Sequence, residues 1–380
     1  MMNKLLSSLL SRIKQRKQRN YEQLSRISLV VYLSLIPTAL VYGIARLSPG
    51  FADFFNRSVS QPLRYLYAKL TNFLPFSLAE ALLLMLPVLL GLLIVHAIRH
   101  RIKTRRSTMI YIAELGSIVL VFLVIFVWNF GIGYHTRPLN HESKLNLERS
   151  EVSAQELYET ALILVEHVNE EAAALTYRTD GFSVMPYSID GMNDRLMDAY
   201  DDFCAEYDFM DTFKSRVKPV MLSEPMSYTH ITGVYSYFTG EANINVVFPD
   251  YSLPYTAAHE LAHQRGIARE DEANFVAFLI CIRSEDAYLR YSGYLNLYEY
   301  VASKLYRADP ELYADARARL DAAVRGELRA YSDFFDKYRD STVSEVSGTI
   351  NNSYLQLQGT QGTRSYGLVV DLAVAYYKQP

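Results

Sequence analysis

Tyr255-Thr-Ala-Ala-His-Glu-Leu-Ala-His-Gln-Arg-Gly266, continued by Ile267-Ala-Arg-Glu-Asp-Glu-Ala-Asn-Phe275, decides how the rest of the chain is read. It contains His-Glu-x-x-His, with His259 and His263 four residues apart and Glu260 between them. On an α-helix, residues at i and i+4 share one face, about 6 Å apart along the axis, so two such imidazoles can converge on one metal ion. Zinc is the ion this pattern serves, with the intervening glutamate one step round the helix and within reach of a water at the metal.

The flanking residues predict two helices joined by a tight turn. Pro254 suits a first turn, with Ser252 as its cap. Ala257, Ala258, Leu261 and Ala262 form an apolar back face, and Gly266 supplies the stop. A second helix is expected from Glu270, where an acidic first turn precedes a long apolar run. A catalytic zinc needs a third protein ligand and an open position. Arg269 is a cation that cannot ligate, which leaves Glu270, Asp271 and Glu272.

Outside this stretch the charge is unevenly spread. The net charge of −3 conceals 16 Lys and Arg against four acids in residues 1–130 (+12), and 22 bases against 37 acids in residues 131–380 (−15). Such a split calls for two environments. Segments 27–47, 77–98 and 109–130 are each about 20 residues and mostly apolar, long enough for a hydrocarbon core of roughly 30 Å. Pro37 and Pro87 within them are tolerated in spanning helices. Glu80 and Glu114, near span ends, are expected to snorkel toward an interface.

Bases cluster before the first span and, at Arg99, Arg101, Lys103, Arg105 and Arg106, between the second and third. The positive-inside rule then places the N-terminus in the cytoplasm and residues 131–380 outside. Residues 1–26 form a basic cytoplasmic segment, of which 1–20 are too basic for a cleavable signal peptide and read as a helix on the anionic inner leaflet, with membrane lipid as partner. Phe51–Phe76 reads as an aromatic segment at the outer interface or as a loop packed on the spans.

Residues 131–380 read as a mostly helical domain. Ser153-Ala-Gln-Glu156 is a capping box before a helix on which His167 is expected to face solvent, and another helical pattern covers Met192–Phe203. Tyr228–Tyr237 and Ala242–Phe248 read as a hairpin broken at Thr239-Gly240, giving a small antiparallel sheet. Asn243 and Asn245 on its second strand are candidate substrate-binding residues, with an extended peptide adding to the sheet edge. Pro310–Leu320, Arg325–Tyr338 and Leu368–Tyr377 are helical, the last too short to span a membrane. Cys204 and Cys281 lack metal-site spacing and read as two buried thiols. No phosphate-cradling loop or basic nucleic-acid surface is present, and an acidic outer part argues against nucleic acid.

Two stretches, Phe238-Thr-Gly-Glu-Ala-Asn-Ile-Asn245 and Ala258–Phe275, carry a family resemblance. Weaker echoes are Trp128-Asn-Phe-Gly131 with Arg137-Pro-Leu139, and Ser365-Tyr-Gly367. The chain resembles a family of bacterial multi-pass membrane proteins of unknown function whose outer domain is similar to glutamate-type zincin (gluzincin) metallopeptidases. The similarity in layout covers most of the chain, while the specific part is His259–Phe275. The resemblance implies an α+β fold, with three N-terminal transmembrane helices followed by a zincin-like domain.

It also implies a zinc-dependent peptidase acting on a protein or peptide at the outer face of the membrane. Glu272-Ala-Asn-Phe resembles the start of the ligand helix in glutamate-type zincins, so Glu272 is preferred as third ligand, with Glu270 behind it. His259, His263 and Glu272 would then hold Zn²⁺, with Glu260 as general base. Tyr366 is the candidate oxyanion donor, ahead of Tyr354 and His230, and Asn274 is a candidate to orient a ligand. The alternative is a non-catalytic, zinc-stabilised sensor or scaffold, which would need no base beside the metal.

Overall fold

A computed structural model describes residues 23–99, 104–148 and 150–379. The basic membrane-surface helix read at residues 1–20 lies outside them. The chain forms two compact units, Met1–Gly43 with Ala81–Val127 and Ile44–Glu80 with Trp128–Pro380.

In chain order the first helices are α1 (Arg26–Leu47), α2 (Pro49–Phe55), α3 (Gln61–Thr71), α4 (Leu78–Arg99) and α5 (Arg105–Asn129). Among the described residues, helices α1, α4 and α5 are the three long and apolar enough to cross a membrane. They match the expected segments within a few residues, and Pro37 and Pro87 sit inside them. Glu114 behaves differently from expectation. It accepts hydrogen bonds from the Ser25 and Ser28 hydroxyls, both at 3.0 Å, and Ser28 meets Ser117 at 3.0 Å. A carboxylate that would be costly in hydrocarbon is thereby bonded to the start of α1.

The larger unit continues with α6 (Ala154–Ala172), α7 (Ile189–Glu206), β1 (Val217–Pro219), α8 (Ser223–Ser227), β2 (Gly233–Ser236) and β3 (Glu241–Ile244). Then come α9 (Ser252–Gln264), α10 (Glu270–Arg283), α11 (Ala287–Ala308), α12 (Pro310–Ala318), α13 (Ala322–Arg339), α14 (Thr342–Leu357) and α15 (Val369–Tyr377). The capping box at Ser153 and Glu156 is formed in both directions.

The sheet is mixed, in the order β1-β3-β2, with β1 parallel and β2 antiparallel to β3. A wholly antiparallel sheet was expected because β1, three residues ending in Pro219, carries no alternating pattern. The hairpin strands are also shorter than their sequence suggests. Residues 223–227 turn as α8, and His230 adopts φ +60, a left-handed conformation that breaks an extended run. Gly240 at φ +72 makes the turn between β2 and β3.

Residues 44–80, which include the last turn of α1 and the first of α4, belong to this larger unit. The aromatic segment Phe51–Phe76 is largely helical, two helices joined by a π-turn, and so is not a loop. Glu80 is buried and accepts the N–H groups of Met221 and Leu222 at 2.9 and 2.7 Å, so it does not snorkel. Glu241 accepts the Leu78 and Ala79 N–H groups, both at 2.9 Å, satisfying two orphan donors at the start of α4. Its other partner is the buried Lys218 ammonium at 2.6 Å.

The core lies among α6, α9, α10 and α11, where Leu261, Phe275, Phe278, Ile280, Leu295 and Leu297 are fully buried. Each such side chain contributes about 1.5–3 kcal/mol of transfer free energy. Cys204 and Cys281 are both free thiols, unpaired with one another.

Candidate metal centre

Helix α9 begins at Ser252, whose hydroxyl bonds the Pro249 carbonyl and does not cap the helix as expected. Its alanine face is buried, which turns the opposite face, with His259 and His263, toward α10. Gly266 at φ +97 ends the helix and reverses the chain, and α10 starts at Glu270. The turn also brings the Ile267 carbonyl back to His263, whose Nδ1–H donates to it at 2.7 Å. That bond fixes the ring and leaves Nε2 directed at Glu270, the support that metal-ligating histidines commonly have.

Glu270 closes the constellation. Its Oε2 lies 3.2 Å from His259 Nε2 and 3.4 Å from His263 Nε2. One ligand atom from each of the three residues lies within 4.8 Å of the others. Two imidazole nitrogens and a carboxylate oxygen converging in this way are a donor set that fits a divalent ion such as zinc. Burial opposes ionisation of Glu270, but the His263 charge and hydrogen bonds from both imidazoles outweigh it and hold the carboxyl well below the usual carboxylate range. Burial likewise opposes protonation of His263, yet the Glu270 charge pushes it up to about 9.

Glu270, the second choice for third ligand, is the carboxylate beside the histidines, and Glu272, the first choice, is not. Two positions further along α10 it is rotated by about 200°, away from the histidines. Its Oε1 accepts instead from Arg269 Nη2 at 2.6 Å and from the Leu139 N–H at 2.7 Å. Arg269 also donates to the Tyr134, Thr136 and Arg137 carbonyls, so the pair fastens residues 134–139 to the start of α10.

Glu260 is buried beside the histidines and accepts the Tyr235 backbone N–H. Burial pushes its carboxyl up, against the pull of both histidines. Gly233 lies directly on it, since a Cβ there would come within 2.6 Å of Glu260 Oε1. His259, Glu260 and Gly233 together line a cavity of about 1070 Å³.

Other expected site residues divide. Tyr354 lines the cavity and receives a hydrogen bond from the Tyr134 hydroxyl at 3.2 Å. His230 also lines it, with Nε2 held by the Tyr338 carbonyl at 2.7 Å. The side chain of Tyr366 lies outside the described residues. Asn274 lines the cavity and reaches the Tyr300 hydroxyl at 3.4 Å, with no bond to a ligand residue. His167 stacks on Tyr294 at 4.6 Å, away from the cluster.

Asn243 and Asn245 are not placed to meet substrate. They are buried in and just beyond the central strand, where Asn243 bonds the Val234 and Glu241 carbonyls. Asn245 bonds the Ser227 hydroxyl and the Val247 N–H.

A support that the motif does not announce comes from the residues before the second span. Asn56 Nδ2 donates to the Gly266 carbonyl at 3.1 Å. The fully buried Arg64 donates to Asn56 Oδ1 at 3.0 Å and to the Asn129 carbonyl at 2.7 Å. A Cβ on Gly266 would fall 2.3 Å from the Arg64 guanidinium. The clue in the sequence was Arg64 within the short apolar run Pro62-Leu-Arg-Tyr-Leu-Tyr-Ala68.

Fold and cluster together define an α+β protein with three membrane-length helices and a His-His-Glu constellation opening on a cavity. The chain belongs to the family described as protein of unknown function (DUF3810), whose model matches residues 55–374. No curated protein and no solved structure matches it.

Proposed function

We propose that this chain is a membrane-anchored zinc metallopeptidase that hydrolyses peptide bonds in proteins or peptides outside the cytoplasm. The reading rests on one observation. His259, His263 and Glu270 converge within 4.8 Å while Glu260 lines the cavity beside them. A closed structural site needs four protein ligands and no base, whereas three ligands with a carboxylate at a cavity suit catalysis.

A zinc ion held by the three residues would supply Lewis-acid polarisation of a carbonyl and a water of lowered pKa. The protein's own part is proton handling and alignment. Glu260 takes a proton from the attacking water and passes it to the leaving amine, a task helped by the burial that raises its carboxyl. Tyr354 is the hydroxyl assigned to the developing oxyanion. Strand β2 is paired on one side, with β3. Its Gly233 end lines the cavity, where an extended peptide can add to it. The sidedness follows from the bases clustered before α1 and between α4 and α5.

The test is a peptide-library cleavage screen on the zinc-loaded full chain in detergent. Cleavage by wild type, lost in Glu260→Gln while zinc is retained, is the expected result. Equal cleavage by wild type and Glu260→Gln would contradict the assigned base.

A further inference from the structure

Helix α11 brings Asn296, Glu299, Tyr300 and Ser303 to the same cavity, a spacing of three, four and seven residues that defines one helix face. Among the described residues lining that cavity there is no lysine, arginine or aspartate. Its acids are Glu260 and Glu299, and its bases are only the imidazoles of His230 and His259. Glu260 has a role at the metal cluster, but Glu299 has none. Among the described residues Glu299 forms no ion pair, and its hydrogen bond comes from the Tyr251 hydroxyl at 3.4 Å. The other carboxylate near it, Glu327, is already held by Ser183 and Tyr291.

A half-buried carboxylate with no cation beside it is costly to keep ionised. It becomes favourable once a cation arrives, and here the setting suits one. Tyr251, Tyr300 and Tyr331 line the cavity around Glu299, and aromatic faces attract an ammonium group. Glu299 and Tyr300 share the cavity with His259 and Glu260, so this corner lies in the same cavity as the metal cluster's edge. The acidic balance of residues 131–380 would steer cations inward.

We propose that Glu299, walled by Tyr251, Tyr300 and Tyr331, is the recognition site for an alkylammonium group of the substrate and makes the centre selective for peptides carrying one. The inference rests on the metallopeptidase reading. The ammonium can come from a lysine side chain or from a free peptide amino terminus.

The experiment is calorimetric titration of the zinc-loaded full chain in detergent with three hydroxamates, whose metal-binding end is common to all. One is N-acetyl-lysine hydroxamate, the second is N-acetyl-norleucine hydroxamate, and the third is norleucine hydroxamate with a free amine. At least one cationic probe should bind wild type about tenfold or more tightly than capped norleucine, the scale of a charged hydrogen bond. The preferred probe tells side chain from amino terminus.

In Glu299→Gln the ratio should fall to near one, and in Glu299→Asp part of it should remain, with zinc content unchanged in both. Equal binding of all three probes to wild type, or a preference that survives Glu299→Gln, would overturn the inference alone. Failure of every hydroxamate to bind would overturn the metallopeptidase reading, and this inference with it.

Discussion

Gly233 and Glu260 are in direct contact, with no room for a methyl group between the strand and the carboxylate. A Cβ at position 233 would approach Glu260 Oε1 to 2.6 Å and its Cγ to 2.7 Å. The glycine is thus required by the position of the proposed base. Gly233→Ala should push Glu260 off its line to the attacking water and lower turnover by about tenfold or more, within the range general-base catalysis contributes. Zinc content should be unchanged, because the atoms a Cβ at position 233 would meet first belong to Glu260 and Thr256, not to the three residues proposed to hold the metal. Turnover of the best library peptide, measured beside zinc content, checks both halves.

Glu272 should prove a structural residue. Its carboxylate is buried between Arg269 and the Leu139 N–H, and removing one partner of a buried ion pair costs about 3–5 kcal/mol. Glu272→Ala should therefore lower the denaturation midpoint markedly while the folded fraction still binds one zinc. Unchanged stability with lost zinc would return Glu272 to the ligand set.

The double histidine, its intervening glutamate, the stop at Gly266 and the helix restart at Glu270 were all legible because each is a short-range pattern with a fixed period. Choosing between Glu270 and Glu272 was not, since three successive acids differ only in angle round the helix. That angle is set by how α10 packs on α9. The three apolar helices of membrane length were legible from length and composition alone. The membership of residues 44–80 in the larger unit was not, because Arg64 and Asn56 act on Gly266 across 200 residues of sequence. Asn243 and Asn245 misled for a related reason. Asn243 is taken up by the Val234 and Glu241 carbonyls and Asn245 by the Ser227 hydroxyl, partners that an alternating strand pattern does not announce.

Arg64 should matter to the metal centre without touching it. Arg64→Met would leave the buried Asn129 carbonyl without this donor and loosen Asn56 on the Gly266 turn. Each orphaned buried group costs about 1–3 kcal/mol, so the melting temperature should fall by several degrees and zinc should bind more weakly. Arg57→Ala, which removes an exposed pair with Asp211, should change little. Thermal melts and zinc titration of the two variants side by side provide the check.

Stability should carry a pH dependence traceable to Glu299. Burial, above all, pushes its carboxyl up to about 7, with the Tyr251 hydroxyl opposing and the Glu327 charge adding to the rise. The folded value therefore exceeds the unfolded one of about 4.5. Its stabilising contribution is fully present below about 4.5 and is lost as pH rises through about 7. Glu299→Gln, neutral throughout, should lack this loss. Denaturant midpoints at pH 4.5 and 7.5 should converge or cross between the two proteins, and a constant gap would contradict the assignment.

The most direct test of the metal centre is the zinc content of the purified full chain beside His263→Ala, Glu270→Ala and Glu272→Ala. The proposed centre predicts one zinc per chain in wild type, retained in folded Glu272→Ala and lost or greatly weakened in the other two. A well-folded wild type that takes up no zinc when it is supplied, or a Glu270→Ala variant that holds it as tightly as wild type, would contradict it.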